Sequence, residues 1–234
     1  MSSLARTVWP EIPPGMLVLV PLGSTEQHGP HLPFNTDSVI ARAVADRAAA
    51  ALDVLVAPTL QYGASGEHAG FPGTVSIGRE ALRAVLVETV RSLVLWAGRV
   101  VFVNGHGGNA ATIATAVVQL RGEGHNVAWT SCAVPGGDAH AGRTETSVML
   151  HLAPDDVRMD EAVVGETREL AAVIPELIAR GVRAVSPSGV LGDPTGASAE
   201  EGAELLAAMV STTVHRIARG DVDARGRLAT EVRV

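Results

Sequence analysis

The chain contains no lysine; all 18 of its basic residues are arginine. That absence excludes Schiff-base chemistry, pyridoxal phosphate attachment and a Walker-type phosphate lysine together. There is one cysteine, Cys132, so neither an intrachain disulfide nor a thiolate-built metal site can form, and a buried structural thiol is the expected role. Aromatic residues make up 3% of the chain against 47% hydrophobic, which predicts a core of Ala, Val and Leu rather than stacked rings. No apolar run has the length of a bilayer span, and MSSLARTVWPEIPPG lacks the apolar centre of a signal peptide, so the expected location is the cytoplasm. The net charge is −7 and no basic stripe is present, which argues against nucleic acid and against a membrane as partners.

What is present is an alternation of apolar runs and helical patterns. MLVLVPL (16–22), VLVAPTL (54–60), RVVFV (99–103) and NVAWTS (126–131) have strand length and composition. Between them, residues 37–52, 79–98 and 111–124 carry helical periodicity, followed by 142–152 and by 198–220. Asn109 stands where an N-cap is expected, and Ser198 with Glu201 forms a Ser-x-x-Glu capping box. This order predicts an α/β fold, a mostly parallel sheet covered by helices on both faces. The expected division is a single domain over 1–220 and a polar C-terminal tail over 221–234. In such sheets ligands sit beyond the carboxyl ends of the strands.

The loops at that edge hold the chemistry. GSTEQHGPHLPFNTD (23–37) carries Glu26, His28 and Asp37, NGHGGN (104–109) carries His106, and HAGRTETS (140–147) carries His140 and Glu145. Glu26 and His28 are two apart, a spacing that aims both side chains to one side of an extended segment. Three carboxylates and two imidazoles exceed the needs of one tetrahedral zinc but suit two divalent ions sharing a carboxylate, with Asp37 the expected bridge. The mixed oxygen and nitrogen set fits zinc, manganese or iron(II). His140 is expected to act as an acid–base group on the substrate rather than as a ligand. Gly107 and Gly108 would let a substrate approach the backbone at a helix N-terminus. The remaining histidines, His31, His68, His125, His151 and His215, are read as solvated or hydrogen-bonded, and Glu67 is open between a surface charge and a substrate contact. Ser24 and Ser147 lie near histidines, but the chain has no Gly-x-Ser-x-Gly elbow to support a serine nucleophile.

Taken together, LVPLGSTEQHGPHLPFNTD, NGHGGN and HAGRTETSVML resemble the creatininase (creatinine amidohydrolase) family over residues 16–152. The resemblance implies a three-layer creatininase-like fold, a homo-oligomer that is commonly a hexamer, and a binuclear metal centre that hydrolyses amide-type bonds. By motif position it implies Glu26, His28, Asp37, His106 and Glu145 as ligands and His140 as the histidine acting on substrate. The chain departs from creatininase itself at Gly107 and Gly108, where creatininase has a bulky aromatic and a carboxylate, and in lacking tryptophan over 132–142. YGASGEH, FVNGHGGN, PGGDAHAGRTETS and SGVLGDPT are most similar to the mycofactocin-system peptidase branch. That similarity implies release of a modified C-terminal Val-Tyr dipeptide from a small ribosomal precursor peptide. A creatinine-like or formamide amidohydrolase, a deformylase and a non-catalytic metal-binding scaffold are the competing expectations.

Overall fold

The computed structural model describes residues 2–229. Five strands, β1 (Ser2–Ser3), β2 (Leu17–Leu22), β3 (Leu55–Val56), β4 (Arg99–Asn104) and β5 (Val127–Ser131), form one sheet in the order β1-β3-β2-β4-β5. Every ladder between them is parallel. The helices are α1 (Thr36–Leu52), α2 (Gly78–Leu93), α3 (Ala110–Gly122), α4 (Arg143–Leu152), α5 (Leu170–Arg180), α6 (Val182–Val185) and α7 (Ala199–Arg219).

Both faces of the sheet are buried, which is why its strands read as continuous apolar runs rather than alternating ones. On one face Leu19, Val101 and Val103 pack with α1, α4 and α7; on the other Val18, Val20, Val100 and Phe102 pack with α2 and α3. Fully buried aliphatic side chains dominate both clusters, and Cys132 is a buried thiol pushed up to about 12 by that burial. Among the described residues no helix is long and apolar enough to cross a membrane.

Several elements differ from the sequence expectation. The second strand is a two-residue ladder, because beyond Ala57 the chain leaves β2 and touches it again only at Leu60, whose N–H donates to Pro21. Helix α2 ends at Leu93 rather than 98, and the chain turns there toward β4. Helix α5 lacks a counterpart in the sequence reading; Pro175 sits in its interior, where a proline removes a ladder hydrogen bond and masks the helical signal. The stretch read as a polar tail packs on the sheet as far as it is described. Trp129 N–H donates to Gly226, Leu228 N–H donates to Trp129, and Leu228 is buried; residues 230–234 lie outside the described residues.

From β2 the chain crosses to β3 on one side, then to β4 on the other. The loops after β2 and β4 therefore diverge, opening a crevice at the carboxyl edge of the sheet.

Candidate metal centre

Four loops meet in that crevice. The β2 loop brings Glu26 and His28 and ends in the first turn of α1 with Asp37; the β3 loop brings Glu67 and His68; the β4 loop brings His106; the segment after β5 brings His140 and, in the first turn of α4, Glu145. Gly105 permits one of these close approaches, since a Cβ there would collide with the Asp37 carbonyl. Asn109 joins three of the loops. Although it precedes α3, its side chain makes no capping bond; it accepts from Ala64 N–H (2.9 Å) and donates to the Gly23 carbonyl (2.9 Å). Asp37 is likewise no N-cap, being the second residue of α1, and its Oδ2 accepts from the Ser24 hydroxyl at 2.7 Å.

All six residues named from the sequence converge. His28 Nε2 lies 3.2 Å from Asp37 Oδ1 and 3.8 Å from Glu145 Oε2. His106 Nδ1 lies 3.1 Å from Glu26 Oε1 and 3.3 Å from Asp37 Oδ2. Asp37 thus faces one imidazole with each oxygen. His140 Nδ1 is 3.6 Å from Glu26 Oε1.

The far nitrogen of each ring is tied to a backbone carbonyl: His28 Nδ1 to Glu26 (3.0 Å), His106 Nε2 to Ala64 (3.3 Å) and His140 Nε2 to Gln27 (2.8 Å). A carbonyl only accepts, so the proton of a neutral ring is fixed there and the inward nitrogen is left as a lone pair. In neutral rings the lone pairs of His28 and His106 would then face carboxylate oxygens, an arrangement that calls for a proton or a metal ion between them. Backbone-anchored imidazoles are the usual support of metal-binding histidines.

Glu26 carries the same message. It is fully buried, and among the described residues neither carboxylate oxygen has a hydrogen-bond partner despite three imidazole nitrogens within 3.6 Å. Proximity without directional bonding is a mismatch for a proton network and a match for ligands aimed at a common ion. Groups whose ligand atoms lie within 4.8 Å of one another are Glu26–His28–Asp37, His28–His140–Glu145 and Glu26–His68–His140. The oxygen and nitrogen donors fit divalent ions.

Protonation follows the crowding of acids. Burial works against a charged His28, but Asp37, Glu145 and Glu26 outweigh it and push the imidazole up to about 10. His106 is also raised, burial again being overcome, chiefly by Glu26 and Asp37, while Asp37 is held well below the usual carboxylate range despite burial, first by His28. Burial raises Glu145 to about 7; its Oε2 accepts from Ala141 N–H at 2.6 Å. Ala141 has φ 52°, a left-handed conformation costing a residue with a Cβ about 1–2 kcal/mol. That turn lets one short segment point both His140 and Glu145 inward.

The structure adds two residues the sequence reading passed over. His68, read as an ordinary solvated or hydrogen-bonded histidine, is buried with Nε2 3.3 Å from Glu26 Oε1. Its signal was its place in a glycine-punctuated loop after a strand, at the same sheet edge as the others. Gln27 lies between two expected ligands and was unremarked; its Nε2 is 2.9 Å from His68 Nδ1 and donates to Gly189 O at 3.1 Å. Glu67 belongs to the cavity wall, with Oε1 3.4 Å from His106 Nε2. Of the other histidines, His31 is buried and bonded to Thr146 Oγ1 (2.9 Å), whereas His151 and His215 lie away from the site, in a groove along α7. Ser24 and Ser147 are committed to Asp37 and Glu201.

Above the cluster opens a cavity of about 750 Å³. The 166–169 segment, Val173 and Leu177 of α5, and the glycine-rich 136–138 turn form its walls. Gly107 and Gly108 line it, and a Cβ at Gly108 would strike Glu67 Oε1 and His106 Nε2.

Comparison with known proteins agrees with this architecture. The creatininase profile, creatinine amidohydrolase, matches residues 5–217. A protein of Mycolicibacterium smegmatis named mycofactocin precursor peptide peptidase is 53% identical over 233 residues, covering 97% of this chain and 93% of its own. Creatinine amidohydrolase of Pseudomonas putida is 33% identical over 177 residues, covering 63% of this chain and 68% of its own. Solved creatininases, one a manganese form and one a Zn-Zn type mutant, superpose with TM-scores of 0.75 at 27% identity, covering 94% of this chain and 98% of theirs. With its profile match, its relatives and its fold in accord, the chain belongs to the creatininase family.

Proposed function

We propose that this protein is a binuclear metal-dependent peptidase that removes the modified C-terminal Val-Tyr dipeptide from a small ribosomal precursor peptide. The observation that carries the reading is the buried, unbonded carboxylate of Glu26 amid inward-facing imidazoles. Glu26, His28, Asp37, His106 and Glu145 would hold two ions, zinc, manganese or iron(II), with Asp37 between them. Such ions lower the pKa of a water and polarise the scissile carbonyl.

The chain's own residues supply the rest. His140, anchored through Nε2 on the Gln27 carbonyl, presents Nδ1 to the cluster and moves the proton between the attacking water and the leaving amine. The cavity holds several peptide residues, and their binding energy orients the amide for attack. Creatinine would leave most of that volume empty. Identity of 53% to proteins named as precursor peptide peptidases, against 33% to creatinine amidohydrolase, favours the peptide.

The deciding experiment incubates metal-loaded protein with the modified precursor peptide and with creatinine, reading both by mass spectrometry. Release of a dipeptide fragment with little creatinine turnover is expected. Efficient creatinine hydrolysis with the peptide intact would establish the amidohydrolase instead, and no turnover of either with metal bound would leave a binding scaffold.

A further inference from the structure

The hydrogen bonds of Gln27 and His68 leave one arrangement of protons. The Gln27 side chain ends between two backbone groups: Oε1 accepts from Gly29 N–H at 2.9 Å, and Nε2 donates to the Gly189 carbonyl at 3.1 Å. An N–H only donates and a carbonyl only accepts, so the amide cannot be turned over. Its second Nε2 hydrogen therefore goes to His68 Nδ1, 2.9 Å away. His140 Nε2 is 3.1 Å from the same nitrogen, but it gives its own proton to the Gln27 carbonyl and takes none. With Nδ1 accepting, the neutral ring of His68 carries its proton on Nε2.

This sets His68 apart from His28, His106 and His140, whose inward nitrogens are bare in the neutral ring. Glu26, His68 and His140 are spaced to hold an ion, but a nitrogen that bears a proton has no lone pair to offer one. The N–H also lacks an acceptor in the protein. Glu26 Oε1 is 3.3 Å away without forming a hydrogen bond, and Nε2 makes none among the described residues. Glu67, next in sequence, turns to His106 instead. His68 lines the cavity, with its ring centre 4.5 Å from that of His140. A donor, His68 Nε2–H, and an acceptor, His140 Nδ1, thus flank one carboxylate oxygen at 3.3 and 3.6 Å.

We infer that His68 is a second catalytic histidine, whose Nε2–H donates to the carbonyl oxygen of the scissile amide as that oxygen gains charge, an inference that rests on the proposed peptidase activity. Water adds to the carbonyl carbon, the C–N bond breaks, and the proton that His140 takes from the water passes to the leaving amine. His68 keeps its own proton. Its direction is fixed before the substrate arrives, and a preformed donor of this kind favours the transition state over the bound substrate. Gln27 is the positioning residue that holds the tautomer.

The test compares zinc-loaded wild type, His68→Ala and His68→Gln, the last keeping an N–H near the place of Nε2. Nitrogen-15 NMR of labelled histidine separates protonated, bare and metal-bound ring nitrogens, and the signals missing from the variants identify His68 among the eight histidines. Wild type should show Nε2 protonated and Nδ1 bare, and both variants should keep the wild-type zinc content. On the precursor peptide, His68→Ala should lower kcat by about 10²–10³-fold with KM little changed, as for loss of one oxyanion donor, and His68→Gln should recover part of the loss. A phosphinate analogue of the scissile amide should bind His68→Ala more weakly by a similar factor. A bare or zinc-bound Nε2, zinc lost with the side chain, or an effect on KM alone overturns the inference. Peptide cleavage that His68→Ala leaves intact would remove the inference and keep the peptidase, while creatinine hydrolysis with the same dependence on His68 would do the reverse. Should the His68 variants fail to fold, Gln27→Leu takes their place: it should shift the same signals and lower kcat at full zinc content, and an unchanged kcat would overturn the inference.

Discussion

Asp37 is the residue on which the two halves of the cluster depend, because Oδ1 faces His28 at 3.2 Å and Oδ2 faces His106 at 3.3 Å. Asp37→Ala should therefore lower bound metal more than any other single ligand change, read by elemental analysis; full occupancy in that variant would refute a bridging role. His140 is a sharper case. Its Nδ1 lies near Glu26 and its ring belongs to two of the possible ligand groups, yet its proposed role is proton transfer. If it only moves protons, His140→Ala retains metal and loses about 10²–10⁴-fold in turnover. Metal lost in step with activity would make it a ligand. For Gly108, the glycine pair suggested room for substrate, but the side chain it excludes would fall on His106 and Glu67. Gly108→Ala should accordingly reduce metal content together with peptide cleavage, and loss of cleavage at full occupancy would restore the substrate explanation.

Between elements, the site depends on side chains that join loops. Asn109 is fully buried and ties the β4 loop to the Gly23 carbonyl and the Ala64 N–H. Removing it leaves a buried donor and acceptor unpaired at about 1–3 kcal/mol each. Asn109→Ala should lower the unfolding midpoint in urea accordingly and loosen metal binding, whereas the mere loss of a cap would leave the metal affinity unchanged. The capping box at α7 is half formed for a related reason. Ser198 accepts from Glu201 N–H, but the Glu201 carboxylate turns to Arg143 and the Ser147 hydroxyl, fastening α7 to the helix that carries Glu145. His31, in the loop between His28 and Asp37, is buried against Thr146 of that helix, so truncating it would leave a cavity. His125, on the far side of the sheet after α3, is the better neutral control.

For the molecule as a whole, the cluster concentrates buried charge, and without metal its stability should depend on pH. His28 has its pKa raised from 6.5 to about 10, so its stabilising effect is complete below 6.5 and is lost as pH rises through 10. Glu145, raised from 4.5 to about 7, binds a proton more tightly when folded and also loses stability on the way up to 7. His31 and His68 are lowered to about 4, mainly by burial, and act oppositely: stability falls as pH drops from 6.5 toward 4. Above pH 7 only losses remain. Metal-free protein should therefore show a melting temperature that declines from pH 7 to 10, with metal-loaded protein holding steady as the ions take the place of the protons. Parallel declines in both forms would show that the cluster does not control this dependence.

The sequence by itself determined four of the five strands, most of the helices and the sheet edge at which the ligands gather. Buried parallel strands are short apolar runs, and loops at their carboxyl ends are where such sheets carry sites. It also singled out Glu26, His28, Asp37, His106, His140 and Glu145, because acids and imidazoles inside glycine-rich turns have few other reasons to be there. Only the tertiary structure brought in His68, which looks like any loop histidine until the short β3 ladder carries its loop to Glu26. It alone turned Asn109 from a presumed helix cap into a tie between loops, and made a cavity wall of α5, whose interior proline hides it. Arg227 shows the same division. In the sequence it is one arginine in a polar tail, and it becomes a cavity-lining charge when the backbone pairs with Trp129. Local pattern records which face a residue buries and which turn it begins, whereas the partners of a polar side chain across 40 or 100 residues are fixed only by packing.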